Sequence, residues 1–430
     1  MPIPFLFSVA NDGLPFGISI WSVVQVTVVV GFIVAVKLYC SGATNKAERK
    51  MHSKVVMITG GTTGIGAAVA LELAKAGAQI ILLTHHEPSD LFLVEHVDDL
   101  RTRSGSELIY AEQVDLSSTH SIRKFATKWI DNAPPRRLDM IILCAATLTT
   151  PGRPPKLTDE GLEETWMVNY LANFHLLSIL SPAIRNQPPD RDVRVVLATC
   201  PSYIASPPLQ AADEAESSAS SPRRNWSPAR AYARSKLALM TFGWAFQKHL
   251  DAHKRPDGMP SNTRVIFVDP GYARTPGMRR WLTRGSLWGL ALYLALWHQA
   301  WLWLKSADAG AQSFLHAAMD VTLGRGAGGR LIKECREVDF ARPDVRDDAA
   351  AKVLWEGSER LVERVEKEQA AKRASAKKQR EAVAEKEKEK AKEKKEQAKA
   401  PSASSAEPTN GGPKEGKKSR PRRGNKKAAQ

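Results

Sequence analysis

The sequence predicts an α/β protein: a doubly wound parallel sheet, preceded by an apolar transmembrane helix and followed by a charged tail. Three observations predict it. Short apolar, β-branched runs alternate with helical patterns from residue 54 to residue 335, and continuous apolar strands separated by helices mean a parallel sheet covered on both faces. The first strand runs into Thr59-Gly60-Gly61-Thr62-Thr63-Gly64-Ile65-Gly66, where glycines mark a sharp turn into a helix. Residues 18–39 are almost unbroken apolar, the length of a bilayer span.

The glycine turn comes first because the rest of the chain is organised around it. Bare N–H groups and the helix dipole at such a turn attract a dinucleotide pyrophosphate. Gly60 permits the tight turn, Gly64 lets the backbone approach the phosphates, and Gly66 lets helix and strand pack closely; Thr62, Thr63 and Ile65 complete the loop. Glycines alone would fit an ordinary flexible turn. The strand before them and the helix after them favour the nucleotide.

At 430 residues, 43% of them hydrophobic, there is room for one large domain with appendages, or for two domains. The net charge of +16 is concentrated after residue 358 and around the N-terminal apolar segment. That points to an anionic membrane surface or nucleic acid met through the appendages. The four cysteines, Cys40, Cys144, Cys200 and Cys335, are scattered without C-x-x-C spacing. This argues against a metal site and a disulfide framework and fits a reducing compartment.

Taken in order, Trp21 and Tyr39 stand near the ends of the apolar segment, as interface aromatics do. A cleaved signal peptide would need basic residues before the apolar run, where Asp12 is the charged residue; Lys37, Lys46, Arg49 and Lys50 come at its end or after it. The positive-inside bias puts residues 1–17 in the lumen and the rest in the cytosol, a single-pass topology. Asn225-Trp226-Ser227 is a glycosylation sequon that should then carry no sugar. Residues 41–50 are a polar linker, and the globular domain starts near Met51. Strands are expected at 54–58, 79–83, 139–145, 194–198, 264–268 and 329–335, with 104–114 leading into Asp115. Helices are expected at 67–75, 121–130, 158–180, 232–250 and 309–319. Residues 206–228 form a Ser/Pro/Ala-rich surface insertion, and 287–304 a second strongly apolar stretch. The domain is expected to end at 345. Residues 346–400 are expected to form a solvated Lys/Glu-rich helix with i,i+4 pairs and too few apolar positions for a coiled coil. The basic tail 401–430 is disordered by composition.

Tyr232-Ala-Arg-Ser-Lys236 is the second decisive feature. Residues four apart share a helix face, so Lys236 lies beside the Tyr232 hydroxyl. A free phenol has a pKa of about 10. A neighbouring ammonium lowers it, letting Tyr trade a proton with an alcohol or carbonyl near neutral pH. A helical Tyr packed on a Lys stem is the bland alternative.

The T-G-x-x-x-G-I-G turn followed by Y-x-x-x-K resembles the short-chain dehydrogenase/reductase family, whose fold is of the Rossmann type. The resemblance spans residues 54–335 and implies further roles. In 159–177, DEGLEETWMVNYLANFHLL, Asn169 stands at the family's active-site Asn, which orients a water joined to the Lys; the alternative is a buried Asn that bends its helix through its own hydrogen bonds. The strand end at 195–202 reads VVLATCPS where the family has paired serines. Cys200 occupies the place of the serine that holds the substrate oxygen, and a thiol is a poor donor; Ser202 or Thr199 supplies the hydroxyl, with Ser202 preferred. Leu143-Cys144-Ala145-Ala146 stands where the family reads N-N-A-G, with Ala145 at the cofactor. Pro270 and Thr275 in DPGYART match the segment that closes over the nicotinamide, and Asp115 the acid at the adenine.

An acid at the end of the second strand would hold the ribose and repel a 2′-phosphate. This chain has Thr84-His85-His86 there. NADP(H) is therefore favoured slightly over NAD(H), with His85 at the phosphate. Residues 227–240 look most like the membrane-associated dehydrogenases of polyprenols and retinoids. The resemblance thus implies a reductase/dehydrogenase for a lipophilic alcohol or aldehyde, polyprenol, retinoid or steroid, at the endoplasmic reticulum or a lipid droplet. A homodimer follows from the resemblance alone. The 287–304 stretch lies at the family's substrate lid. A second full span would put 309–335 across the membrane from the sheet those residues complete. Trp288, Trp297, Trp301 and Trp303 instead suit a membrane-facing lid, the alternative being a lid buried in the protein or against a second subunit. The rival from another class is a catalytically weak scaffold, which the departures at Cys200 and Ala146 and the charged tail favour and the Tyr232/Lys236/Asn169 set opposes. Nucleic-acid binding through the tail is not expected, because stacking aromatics are absent there.

Overall fold

The computed structural model describes residues 20–209 and 226–397. The N-terminal segment 1–17, the tail 401–430, the sequon residue Asn225 and most of the 206–228 insertion lie outside them. Among the described residues, an eight-stranded sheet has the order β3-β2-β1-β4-β5-β6-β7-β8. Its strands are β1 (Val55–Thr59), β2 (Gln79–Thr84), β3 (Ile109–Gln113), β4 (Met140–Leu143), β5 (Val193–Ala198), β6 (Thr263–Asp269), β7 (Arg330–Lys333) and β8 (Arg336–Val338). The first seven are parallel and β8 is antiparallel to β7. The order reverses between β1 and β4, whose register runs Val56 to Met140 through Thr59 to Leu143. Crevices at such reversals, outside the carboxyl ends of the strands, are where ligands bind.

Helices α1 (Ile20–Ser41), α2 (Gly64–Lys75), α3 (Leu91–Ser104), α4 (Thr119–Ile130), α5 (Glu164–Arg185), α6 (Pro228–Ala252), α7 (Pro276–Leu282), α8 (Leu287–Ala295), α9 (Trp297–Trp303), α10 (Ala307–Met319) and α11 (Asp348–Gln397) complete it. One face of the sheet carries α2 and α10, with Val69, Leu73 and Phe314 in its core. The other carries α4, α5 and α6, with Trp129, Tyr170, Phe242 and Phe267. Both faces are covered, which is why β1 and β5 are apolar throughout apart from the buried Thr59 and Arg194.

Four expectations change. The helix expected from 158 begins at Glu164, because Gly161 adopts φ +83° and a bridge between Leu157 and Glu163 closes a turn ahead of it. The strand expected at 329–335 is instead a hairpin: Glu334 and Cys335 take φ +50° and +54° and turn β7 into β8. Left-handed pairs of this kind match the twist of a two-residue hairpin, and without glycine the sequence did not announce one. Helix α3, N-capped by Asp90, is an element the periodicity did not reveal.

The fourth change is the domain boundary. Residues through Ala370 form one compact unit and those from Ala371 a second. In the first unit, the start of α11 buries Ala351, Leu354, Leu361, Val362 and Val365 in the core of the α5/α6 face. Trp355 stacks edge-on to Phe174, 5.5 Å between centroids. Ser358, fully buried, shares a 2.6 Å hydrogen bond with the Tyr170 hydroxyl. Arg123 Nη2 donates to Glu366 Oε2 over 2.6 Å. So the expected solvated helix is core over its first turns, and the α5/α6 face is covered by this chain's own helix. In the second unit, α11 continues to Gln397 with exposed i,i+4 pairs such as Lys377–Glu381.

Two helices among the described residues are long and apolar enough to cross a bilayer, Trp21–Ser41 and Glu164–Arg185. The second is largely buried as α5. None of the first is buried. The 287–304 stretch breaks at Leu296 into α8 and α9, each too short to span, and neither buries a residue in this chain.

Candidate active site

The glycine turn sits at the sheet's reversal point. Gly60 adopts φ +68°, and a Cβ there would come within 2.9 Å of the Ala145 backbone. Thr59 Oγ1 accepts a hydrogen bond from Ala145 N at 3.2 Å, tying the end of β1 to the end of β4. Gly64, at φ +61°, faces Thr275, whose Cγ2 would lie 3.2 Å from an added Cβ. Thr63 precedes α2 in extended conformation and makes no side-chain cap, so the first N–H groups of α2 are left for a ligand. Thr62 is half-buried beside it. Ile65 turns its side chain onto Gly310 of α10, so its part is to seat the helix. Gly66 packs on the turn itself: a Cβ would lie 2.2 Å from Gly60 O. These residues fit a dinucleotide. Gly66→Ala is expected to weaken NAD(P)H binding at least tenfold, because backbone must move to relieve the overlap; a fluorescence titration of the reduced cofactor checks it.

At the end of β2, Thr84 is buried and His85 exposed, its ring 4.1 Å from that of His86. His86 Nδ1 lies 2.6 Å from Asp90 Oδ2. An acid therefore does stand near this corner, six residues past Thr84, engaged with His86 and with the N-terminus of α3, where Phe92 N donates to its Oδ1. The signal that could have found it is an Asp directly before the apolar start of a helix. Asp115 follows β3, its Oδ1 accepting from Ser117 N and Oγ at 2.8 and 2.7 Å.

On α6, capped by Ser227 and started by Pro228, Tyr232 and Lys236 share a face, with Lys236 Nζ 5.6 Å from the Tyr232 ring centroid. Lys236 is 2% exposed and donates to Ala198 O at the end of β5 over 3.0 Å. Burial lowers its pKa, against an opposing influence of Cys200 and Cys144. Burial pushes the Tyr232 hydroxyl well above 10, and Cys200, Asp269 and Tyr272 add to the rise. The expectation that Lys236 lowers the phenol is thus corrected: desolvation disfavours the charged form of both groups, and Lys236 directs a donor to Ala198.

Cys200 neighbours the Tyr232 hydroxyl and adds to the rise in its pKa. Its Sγ lies 2.8 Å from Ser202 Oγ. Ser202 therefore reaches Tyr232 through Cys200, and the group beside the hydroxyl is the thiol. Thr199 is excluded, because its Oγ1 turns away to Met240 Sδ at 2.9 Å. Asn169 is fully buried in a π-helical turn, Met167–Leu171, inside α5. Its Oδ1 accepts from Thr147 N at 2.7 Å, and its Nδ2 donates to Thr147 O at 2.9 Å and Ser235 Oγ at 3.1 Å. Ser235 Oγ in turn donates to Tyr232 O at 2.8 Å. The amide thus clamps the loop after β4 to the Tyr232 turn. Ser235 and Thr147 were not singled out in the sequence; Ser235 stands one residue before Lys236.

Residues 269–275 cross above β6. Asp269 is buried and accepts from Gly271 N at 2.9 Å. Pro270 leads to Tyr272, and Thr275 caps α7 by accepting from Met278 N. Lys305, just past α9, pairs with this segment: Lys305 N donates to Tyr272 O at 3.0 Å and Arg274 N to Lys305 O at 2.9 Å.

Among known proteins, the family model described as short chain dehydrogenase matches residues 54–199. An uncharacterized oxidoreductase of Schizosaccharomyces pombe, pbr1, is 43% identical over 379 residues, covering 88% of this chain and 100% of that one. Mouse retinol dehydrogenase 13 is 30% identical over 342 residues, 78% of this chain and 91% of that one. Human polyprenol dehydrogenase is 31% identical over 288 residues, 66% of this chain and 78% of that one. The crystal structure of an uncharacterized protein from Mycobacterium paratuberculosis superposes with a TM-score of 0.52 at 24% identity, over 75% of this chain and 98% of that one, a likeness of fold.

Proposed function

The chain belongs to the short-chain dehydrogenase/reductase family of NAD(P)-dependent oxidoreductases acting on CH–OH groups, and we propose that it interconverts a lipophilic alcohol and its aldehyde or ketone at a membrane surface. The observation that carries this is the occurrence, in one chain, of a Tyr232/Lys236/Cys200 cluster and a strongly apolar, exposed stretch at 287–304. Helices α8 and α9 carry Trp288 at 88% and Trp303 at 61% exposure, and α9 stands beside α1, none of whose span is buried. Soluble surfaces rarely leave so large an apolar patch uncovered, and a bilayer satisfies it. The relatives named for polyprenol and retinol support the same substrate class.

The roles follow from the geometry. When bound, the nicotinamide supplies or takes up the hydride. Tyr232 donates a proton to the substrate's carbonyl oxygen, or accepts one from its hydroxyl. Cys200, backed by Ser202, fixes that oxygen. Lys236, anchored to Ala198 O at the end of β5, would hold the cofactor's ribose beside Tyr232. Asn169 keeps the loop and the Tyr232 turn in place. The raised pKa of Tyr232 keeps its hydroxyl protonated, the form that donates to a carbonyl oxygen. His85, exposed where no acid stands directly at the strand end, would meet a 2′-phosphate, so NADP(H) is the proposed cofactor, with Asp115 and Ala145 toward the adenine and the nicotinamide. The catalytic domain faces the cytosol at the endoplasmic reticulum or a lipid droplet; sugar on Asn225 would overturn that topology.

The test is turnover by the full chain in liposomes, offering polyprenal, retinal and a steroid ketone with NADPH or NADH. Turnover of at least one lipid substrate is expected, with NADPH preferred, a reduction rate that holds from neutral to pH 9 and an oxidation rate that rises with pH. Cofactor binding without turnover on any substrate would favour the scaffold.

A further inference from the structure

Helix α1 does more than tether. Lys37 is the one charged residue in the apolar stretch 18–39. A lysine near the end of such a helix ordinarily reaches out to water or headgroups. Here its Nζ donates to Trp301 O at 2.7 Å and to Leu304 O at 3.3 Å, with the ammonium 5.1 Å from the Trp301 ring centroid. Those carbonyls end α9. The last carbonyls of a helix lack intrahelical partners, and a cation there is favourable.

The chain leaving α1 is also fixed. Ala43 N donates to Glu334 Oε2 at 2.9 Å, and Glu334 pairs with Lys305. Asn45 N donates to Gln312 Oε1 at 2.9 Å, and Arg49 Nη1 to Asp192 Oδ2 at 2.6 Å. The expected linker 41–50 is therefore a bracket. From the Lys37 contact, α9 runs into Lys305, whose main chain is stitched to Tyr272 and Arg274, and this segment continues to Thr275 against Gly64. At its other end the apolar pair of helices starts after Gly285, where an added Cβ would lie 3.7 Å from Thr150 Cγ2 on the loop that Asn169 clamps.

We propose that Lys37 is a positioning residue that latches the lid, α8 and α9, to the membrane helix, so that α1 sets the lid over the Tyr232 pocket for a substrate arriving from the bilayer. The proposal rests on the oxidoreductase reading above. Its mechanical part stands on the contacts alone, which keeps the two separable.

The experiment compares the full chain with Lys37→Met and Lys37→Arg in liposomes. The first keeps the stem and removes the cation; the second restores it. Trypsin cleavage after Arg284, exposed at the base of the lid, reports lid mobility without turnover. Lys37→Met is expected to be cut several-fold faster and Lys37→Arg at the wild-type rate. With a long-chain polyprenal, Lys37→Met should raise KM by about tenfold, the order expected for losing a charge-assisted hydrogen bond. With a short water-soluble aldehyde KM should not change, and kcat should hold for both. Cleavage at the wild-type rate in Lys37→Met, or equal KM shifts for the two aldehydes, would overturn the latch. Faster cleavage in a protein that turns over nothing would leave the latch standing and sink the oxidoreductase reading instead.

Discussion

Tyr232→Phe is expected to lower kcat by about 10²–10⁴-fold, the usual range for removing a positioned general acid, with little change in cofactor affinity. The side chain loses one oxygen and keeps its ring in place on α6. What disappears is the proton donor to the substrate oxygen, the hydroxyl that Cys200 neighbours. Single-turnover oxidation of NADPH in liposomes measures the chemical step directly. A loss of less than fivefold would show that the proton comes from another group, with the Cys200 thiol the nearest candidate. Cys200→Ser tells the two apart. It replaces the thiol with a stronger donor, so it should hold or raise the rate if Cys200 only fixes the oxygen, and should lower it if the thiol is the acid.

Ending the chain after residue 345 is expected to abolish folding, whereas ending it after residue 370 should leave the melting temperature within about 2 °C of the full chain. Leu361, fully buried in the α5/α6 core, sets the scale. Leu361→Ala alone should cost about 2–5 kcal/mol, against a total stability of about 5–15 kcal/mol for a typical domain. A stop at 345 removes Leu354, Leu361, Val362 and Val365 together, and uncovers Phe174 and Phe242, which pack on Trp355. It also leaves the buried Tyr170 hydroxyl without Ser358, and an unsatisfied buried polar group carries its own penalty. Soluble expression and thermal melts of the two truncations decide it. A cooperative melt from the 345 variant would show that the first turns of α11 are dispensable.

The sheet, its parallel sense and the glycine turn were legible in the sequence because they rest on local rules. Apolar β-branched runs, helical periodicity, and glycines at a strand-to-helix junction all act within a few residues. The same holds for the Tyr232/Lys236 pair, whose four-residue spacing alone puts both on one helix face, and for the apolar run of α1. Contacts between residues distant in sequence were not legible. Nothing in Glu-Gly-Ser-Glu announces that Ser358 is buried on Tyr170, since the partner lies 188 positions away. A run rich in Lys and Glu reads as solvated until the face that covers Phe174 and Phe242 is known. Whether Cys200 or Ser202 faces Tyr232 depends on how β5 ends beside α6, which strand register alone leaves open. The sign of the Tyr232 pKa shift turned on burial, a property of the packed site. Lys37 is the sharpest case. In sequence it is a basic residue closing an apolar helix. Only the fold brings it to the end of α9, where two open carbonyls give its charge a structural task.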